Sequence, residues 1–213
     1  MSIELHRLIS WFSPAFPIGA FSYSHGLEAA IACGDVADGA TLKSWLTHLL
    51  RHGSGWNDCL LIVSAYNADA EAEIQQLRDL AIALSAGKER QLESCLQGDA
   101  FAKTVSVVSK QRVEGGPLPV VVGNVAKMQG IVLSDLLSVY LHAFVSNLIS
   151  AATRSMALGQ IEAQQILAEL FPQIDDVATN ALSASLDDVG SCSFLADLAS
   201  MQHETIQPRQ FRT

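Results

Sequence analysis

The chain has 213 residues, 49% of them hydrophobic and only 16% charged, with a formal net charge of −9. That length suits one large domain with an ample core, and the negative balance excludes the phosphate-binding role that nucleic acid demands. So thin a polar surface fits either partial cover by a partner or simply an Ala- and Leu-rich helical protein.

Helical periodicity runs throughout, with no convincing alternating strand pattern. Leu5, Leu8, Ile9 and Phe12 form the apolar stripe of a first helix that Ser13-Pro14 ends. A second helix is predicted to start near Ser22 or Tyr23 and to stop at Gly34. Asp38-Gly39 reads as a turn, with Thr41 as N-cap of a helix carrying Leu42, Trp45, Leu46, Leu49 and Leu50. Gly53-Ser54-Gly55 separates it from a helix around Trp56 to Asn67, and Asp69 is the expected cap of the next. Apolar residues from Ile74 to Leu84 and from Leu92 to Val108 predict two helices, broken at Gly87 or Gly98. The clearest internal break is Glu114 to Pro119. Val120-Val121-Val122 follows Pro119 as a first helical turn would, and Val125 and Met128 continue the spacing, so it reads as helix.

Ser134 is the expected cap of a long central helix. Leu136 to Thr153 contains no charged residue and approaches membrane-spanning length. Its Ser138, His142, Asn147 and Ser150 favour a core helix buried on most sides, with His142 inside. Gly159 and Pro172 bracket a short helix, Asp175 caps another, Asp187 to Gly190 turns, and a last helix runs from near Phe194 to Met201. The expected architecture is therefore all-α: a single domain of about ten helices around a buried central helix, residues 1–203, followed by a tail over residues 204–213.

Chemistry-bearing patterns are sparse. Ser22, Ser24 and His25 lie close together, but no Gly-x-Ser-x-Gly elbow accompanies them. Neither GxxxxGK[ST] nor Gly-x-Gly-x-x-Gly occurs. His48 and His52 share a helix face at a spacing that can bind zinc or nickel, yet an HExxH glutamate is absent and a histidine near a helix C-terminus has an ordinary electrostatic role. His203-Glu204 reads as a solvated pair, with metal or partner contact as the alternative. Cys33, Cys59, Cys95 and Cys192 are far apart in small or apolar surroundings, as reduced core cysteines would be. No basic region leads into an apolar core after Met1, so no signal peptide is expected. Eight acidic residues and no Lys or Arg lie between Ser155 and Pro208, a solvated face or a match for a basic partner.

Two segments remain distinctive. Ser13 to Glu28 (SPAFPIGAFSYSHGLE) places two prolines and a glycine before an aromatic, hydroxyl-rich run, a shaped bend that something must cover. The tail holds Arg209, Phe211 and Arg212, residue types that anchor interfaces and can order on binding.

Together with Lys88-Glu89-Arg90, Leu118 to Gly123, Asn147 to Ala152, Gly159-Gln160 and Leu198 to Thr205, in order along nearly the whole chain, these segments resemble the urease accessory protein UreF family. The resemblance implies an all-α, dimer-forming cytoplasmic protein without catalysis, cofactor or metal of its own. Its implied partners are the accessory protein UreD (UreH in some systems), the GTPase UreG and apo-urease, not nucleic acid or membrane. It implies a nickel-insertion chaperone that couples GTP hydrolysis to nickel delivery. Family importance falls by motif on Tyr23 and Arg209, and the implied partner-binding set is Phe21, Tyr23, His25, Glu28, Arg209 and Phe211, with Arg209 meeting the Tyr23 region when the tail folds. Direct nickel binding through His25, Glu28 or the His48/His52 pair is one alternative; acceleration of GTP hydrolysis by Arg209, Arg154 or Arg90 is another. The chain departs from the family where Pro208-Arg209-Gln210-Phe211 replaces Ser-Arg-Leu-Phe, and where Ile161-Glu162-Ala163 follows Gly159-Gln160.

Overall fold

In the computed structural model residues 3–190 and 192–213 are described; Met1, Ser2 and Ser191 lie outside them, and with them the start of the segment in which no signal peptide is expected. Among the described residues ten α-helices and two 3-10 turns form the regular structure, without a strand, as the periodicity predicts. In chain order these are α1 (Ile3–Trp11), a 3-10 turn (Ala20–Ser22), α2 (Leu27–Cys33), α3 (Gly39–His52), α4 (Ser54–Asn67), α5 (Glu71–Ala83) and α6 (Lys88–Ser109). Then follow α7 (Leu118–Met128), α8 (Leu133–Ser155), α9 (Gln160–Ala181), a 3-10 turn (Leu186–Asp188) and α10 (Phe194–His203).

Several boundaries differ from expectation for local reasons. α2 begins at Leu27, later than the predicted Ser22 or Tyr23, because His25 and Gly26 hold positive φ of 60° and 78°. Asp38, not Thr41, caps α3: its carboxylate accepts from the Thr41 N–H at 2.8 Å, and the Thr41 hydroxyl accepts from the Asp38 N–H at 3.0 Å. Asp69 is likewise not a cap. Glu73 reaches back to the Asp69 and Ala70 N–H groups at 2.8 and 3.2 Å, while the Asp69 carboxylate pairs with Lys127 at 2.7 Å. At the start of α8, Val132 and not Ser134 holds the cap position. Gly87 makes the break between α5 and α6, and Gly98 is buried inside α6.

Pro172 does not end a helix. α9 continues through it as one 22-residue helix. Proline removes one backbone bond there, but Ile166, Leu167 and Leu170 before it and Ile174, Val177 and Ala178 after it bury the same stripe. Asp175 is therefore a mid-helix residue.

α8 runs through the main core, packing on α9, α2 and α4. By length and composition it could cross a membrane, yet half of that apolar window is buried inside the molecule. His142 lies on its exposed face beside Phe171, with ring centroids 5.8 Å apart, and is not the core histidine expected. Of the cysteines, only Cys59 is a core residue; Cys33 and Cys192 are exposed because they sit at the end of α2 and in the loop before α10.

The tightest helix pair is α4 against α7, where Val120, Val121, Val122 and Val125 meet Cys59, Leu61 and Ile62 in a buried apolar seam. Gly123 makes that approach possible. A Cβ there would lie 2.4 Å from the Ile62 carbonyl oxygen and 3.0 Å from Ala65 Cβ.

Candidate partner-docking surface

Ser13 to Glu28 leaves α1, turns through the 3-10 turn and enters α2, and its geometry follows from three special dihedrals. Gly19 (φ 73°) starts the turn, and His25 and Gly26 follow one another at positive φ before the first turn of α2. Gly26 has a second reason to lack a side chain: a Cβ would lie 2.8 Å from the Ser200 backbone nitrogen on α10. Ser24, buried beneath the bend, accepts from the Glu28 N–H at 3.2 Å through its hydroxyl.

The tail lies along this bend. The Arg212 N–H donates to the Ser22 carbonyl and the Ser24 N–H to the Thr213 carbonyl, both at 2.9 Å, and the Ser24 hydroxyl also donates to Thr213 O. Glu28 anchors the middle, accepting from the Gln210 and Phe211 N–H groups at 2.7 and 2.9 Å. Phe211 is 3% exposed, capped by the Arg154 guanidinium 4.5 Å from its ring centroid. Arg154 also donates to the Phe21 carbonyl at 2.9 Å, so one cation ties α8, bend and tail together.

Arg209 does not reach Tyr23. Its guanidinium donates to Glu89 on α6 at 2.5 Å, and it remains partly exposed. Tyr23 is buried, and its carbonyl accepts from Asn147 at 3.4 Å. His25 is buried too, its Nε2 2.6 Å from the Ser54 hydroxyl and its ring edge-on to Phe144 at 5.2 Å. Burial, helped by the nearby Arg90 charge, holds its pKa well below the ordinary histidine value, so the ring is neutral. Of the six expected docking residues, Phe21 (66% exposed) and Arg209 face outward; the His25 N–H and the Glu28 carboxylate hold the tail, Phe211 is its buried anchor, and Tyr23 is buried against α8.

Beneath the bend lies a chamber with a mixed polar and apolar lining. Its two lobes, about 70 and 90 Å³, share His25, Asp58, Arg90 and Ser94 in their walls. Asp58 receives the Tyr140 hydroxyl at 2.7 Å. Burial outweighs that hydrogen bond and the Arg90 charge and raises its pKa to about 6. Arg90 pairs with Glu93, which also accepts from the Thr213 hydroxyl at 2.6 Å and from the Gln97 amide at 3.2 Å.

His203, expected in a solvated pair, is the last residue of α10 and is fully buried. Glu89, Arg154 and His203 carry the junction, a role that sequence reasoning assigns to none of them. Glu89 and His203 sit in the quoted family motifs, which was the available signal. The His48 and His52 rings lie 5.2 Å apart, tilted by 56°, with His48 Nε2 3.2 Å from the Cys192 carbonyl. Among the described residues no group of three or more His, Cys, Asp or Glu side chains is arranged to hold a metal ion.

The sequence profile of the UreF family matches residues 36–171. The chain is 48% identical to a urease accessory protein UreF of Ruegeria pomeroyi over 210 residues, spanning 99% of this chain and 97% of the relative. It is 46% identical to the UreF of Bradyrhizobium diazoefficiens, over 98% of this chain and 91% of that one. With the UreF of Cereibacter sphaeroides the identity is 44% over the full length of both. The profile leaves out bend and tail; the full-length relatives take in both.

Proposed function

The chain belongs to the UreF family of urease accessory proteins, and we propose that within urease maturation it is a nickel-insertion chaperone subunit working by shape and coupling, without bond-making chemistry. On this reading it bridges UreD (or UreH) and the GTPase UreG in the cytoplasm, acts as a homodimer, and links GTP hydrolysis to nickel delivery into apo-urease. Nucleic acid and membrane are not its partners.

One observation carries this reading: the tail is seated on the bend so that Phe21 and Arg209 stay outward while Phe211 is locked inward. An exposed aromatic and an arginine flanking a well-packed anchor are the usual makings of an interface hot spot. Holding a ten-residue tail costs conformational entropy, so UreD contacts would favour the seated form, and the completed surface would recruit UreG. The test is Arg209→Ala in a co-purification with UreD and UreG, alongside a chain lacking residues 204–213. UreG recruitment and urease activation are expected to be lost in both, with the helical signature of the fold unchanged. Full urease activation by Arg209→Ala would overturn the assignment.

A further inference from the structure

Among the described residues, His203 is the one fully buried side chain whose two ring nitrogens both meet carboxylates. Nδ1 lies 2.7 Å from Glu89 Oε2 on α6, and Nε2 lies 3.0 Å from Glu28 Oε2 on α2. The same two carboxylates hold the tail, Glu89 through Arg209 and Glu28 through the Gln210 and Phe211 N–H groups. One imidazole therefore sits behind both anchors.

An ionised carboxylate only accepts hydrogen bonds, and a neutral imidazole has one N–H to give. Burial pushes the Glu28 pKa up, but donation from His203, Gln210 and Phe211 outweighs it and leaves the pKa below the ordinary value. Glu28 is thus ionised at neutral pH and needs Nε2–H as donor. Glu89 meets a guanidinium, a donor-only group, on its other oxygen, and completes its set by accepting from Nδ1–H. With both protons on the ring, the charges of His203 and Arg209 balance those of Glu28 and Glu89. Loss of one ring proton would turn a nitrogen lone pair toward a carboxylate oxygen at 2.7 or 3.0 Å and leave an uncompensated negative charge in a buried place.

Of the other charged groups on the packed elements, Lys88 opens α6, Arg90 of α6 pairs with Glu93, and Asp197 of α10 lies within reach of the Arg90 charge. Glu204, following α10, accepts from the Lys88 N–H at 3.1 Å. Glu28 is the sole acidic residue of α2, which has no basic one, and Arg209 is the tail cation that reaches Glu89.

We propose that His203, held as an imidazolium, is the positioning residue of the tail: it fixes Glu28 and Glu89 in the arrangement that receives residues 209 to 211. Seating of the tail is then lost when the ring is replaced by a neutral side chain, and also when Glu28 protonates, which happens below the ordinary carboxylate range. The functional weight of this device rests on the docking role proposed for the tail, but the device itself is testable on the isolated chain.

The experiment has two readouts on the full chain. Nitrogen-15 NMR of the histidine ring reports its protonation. Trypsin cleavage after Arg209, normalised to a free peptide of residues 204–213, reports tail seating. In His203→Gln, which offers no positive charge, cleavage is expected to be about tenfold faster than in the wild-type chain. A ring carrying a single N–H at neutral pH, or a His203→Gln chain cleaved as slowly as the wild type, would each overturn the proposal. If the tail is released in His203→Gln but UreG recruitment is unchanged, the docking role fails while the positioning role of His203 stands.

Discussion

The seam between α4 and α7 and the junction between tail and bend are both buried, but different physics holds them. The seam is made of Val120, Val121, Val122, Val125, Leu61 and Ile62, with Gly123 bringing the two backbones together. Its stability comes from apolar area and close packing, which neither pH nor salt alters much. The junction is made of Glu28, Glu89, His203, Arg209, Arg154 and the backbone of residues 210 to 213. Each contact there depends on a protonation state or on an ordered segment. A fold can therefore be permanent at one place and conditional at another, and a regulatory surface belongs at the second.

The largest effect should come from the seam. Gly123→Val puts two methyl groups against the Ile62 backbone, which has no side-chain freedom to yield. The expected loss is about 3 kcal/mol or more, measured by urea unfolding of the full chain. A loss below about 1 kcal/mol would mean that the seam is as adaptable as the junction and would break the contrast.

Asp58 lies between the two regions, beside the chamber under the bend, and sharpens the comparison by its pH dependence. Its pKa rises from 3.8 to about 6 on folding, so the folded chain binds its proton more tightly than the unfolded chain. For an acid shifted upward, stability is full below the unfolded pKa and falls as pH rises toward the folded one. The penalty is complete above about pH 6 and amounts to about 3 kcal/mol at most. Asp58→Asn has no such titration. Its stability relative to the parent should rise by about 2–3 kcal/mol between about pH 4 and about pH 7.5. Parallel pH profiles for the two chains would show that Asp58 is solvated and the chamber open.

Much of the permanent part was legible in the sequence. Helical spacing of Leu42, Leu46 and Leu49, or of Val121, Val122 and Val125, is a local signal, and burial of those residues follows from it. Cap positions were less legible, because Asp38 and Thr41 are both good cap residues and only their reciprocal bonds decide between them. Pro172 misled because a proline read alone ends a helix, whereas a continuous buried stripe carries α9 through it. In the conditional part, the bend and tail were visible as unusual segments, but their partners were not. Glu28 and His203 are separated by 175 residues, and Arg209 and Glu89 by 120. Nothing local in either pair specifies that separation. The expected Arg209–Tyr23 contact put the two segments together correctly and assigned the cation wrongly: Arg154 on α8 is the guanidinium at the bend.

The smallest change in overall stability should come from Phe211→Ala, although Phe211 is as buried as many core residues. In a core position that substitution costs about 3–5 kcal/mol. Phe211, however, belongs to a terminal segment beyond the last helix, so the loss is expected to be limited to the free energy of seating the tail. Global unfolding in urea should therefore shift by about 1 kcal/mol or less, while amide exchange at residues 210 to 213 and at Ser24, whose N–H donates to Thr213, becomes fast. Retention of exchange protection at Ser24 would mean that Glu28 and His203 hold the tail without its aromatic anchor. A global loss of about 3 kcal/mol would place the tail in the same cooperative unit as the α4–α7 seam.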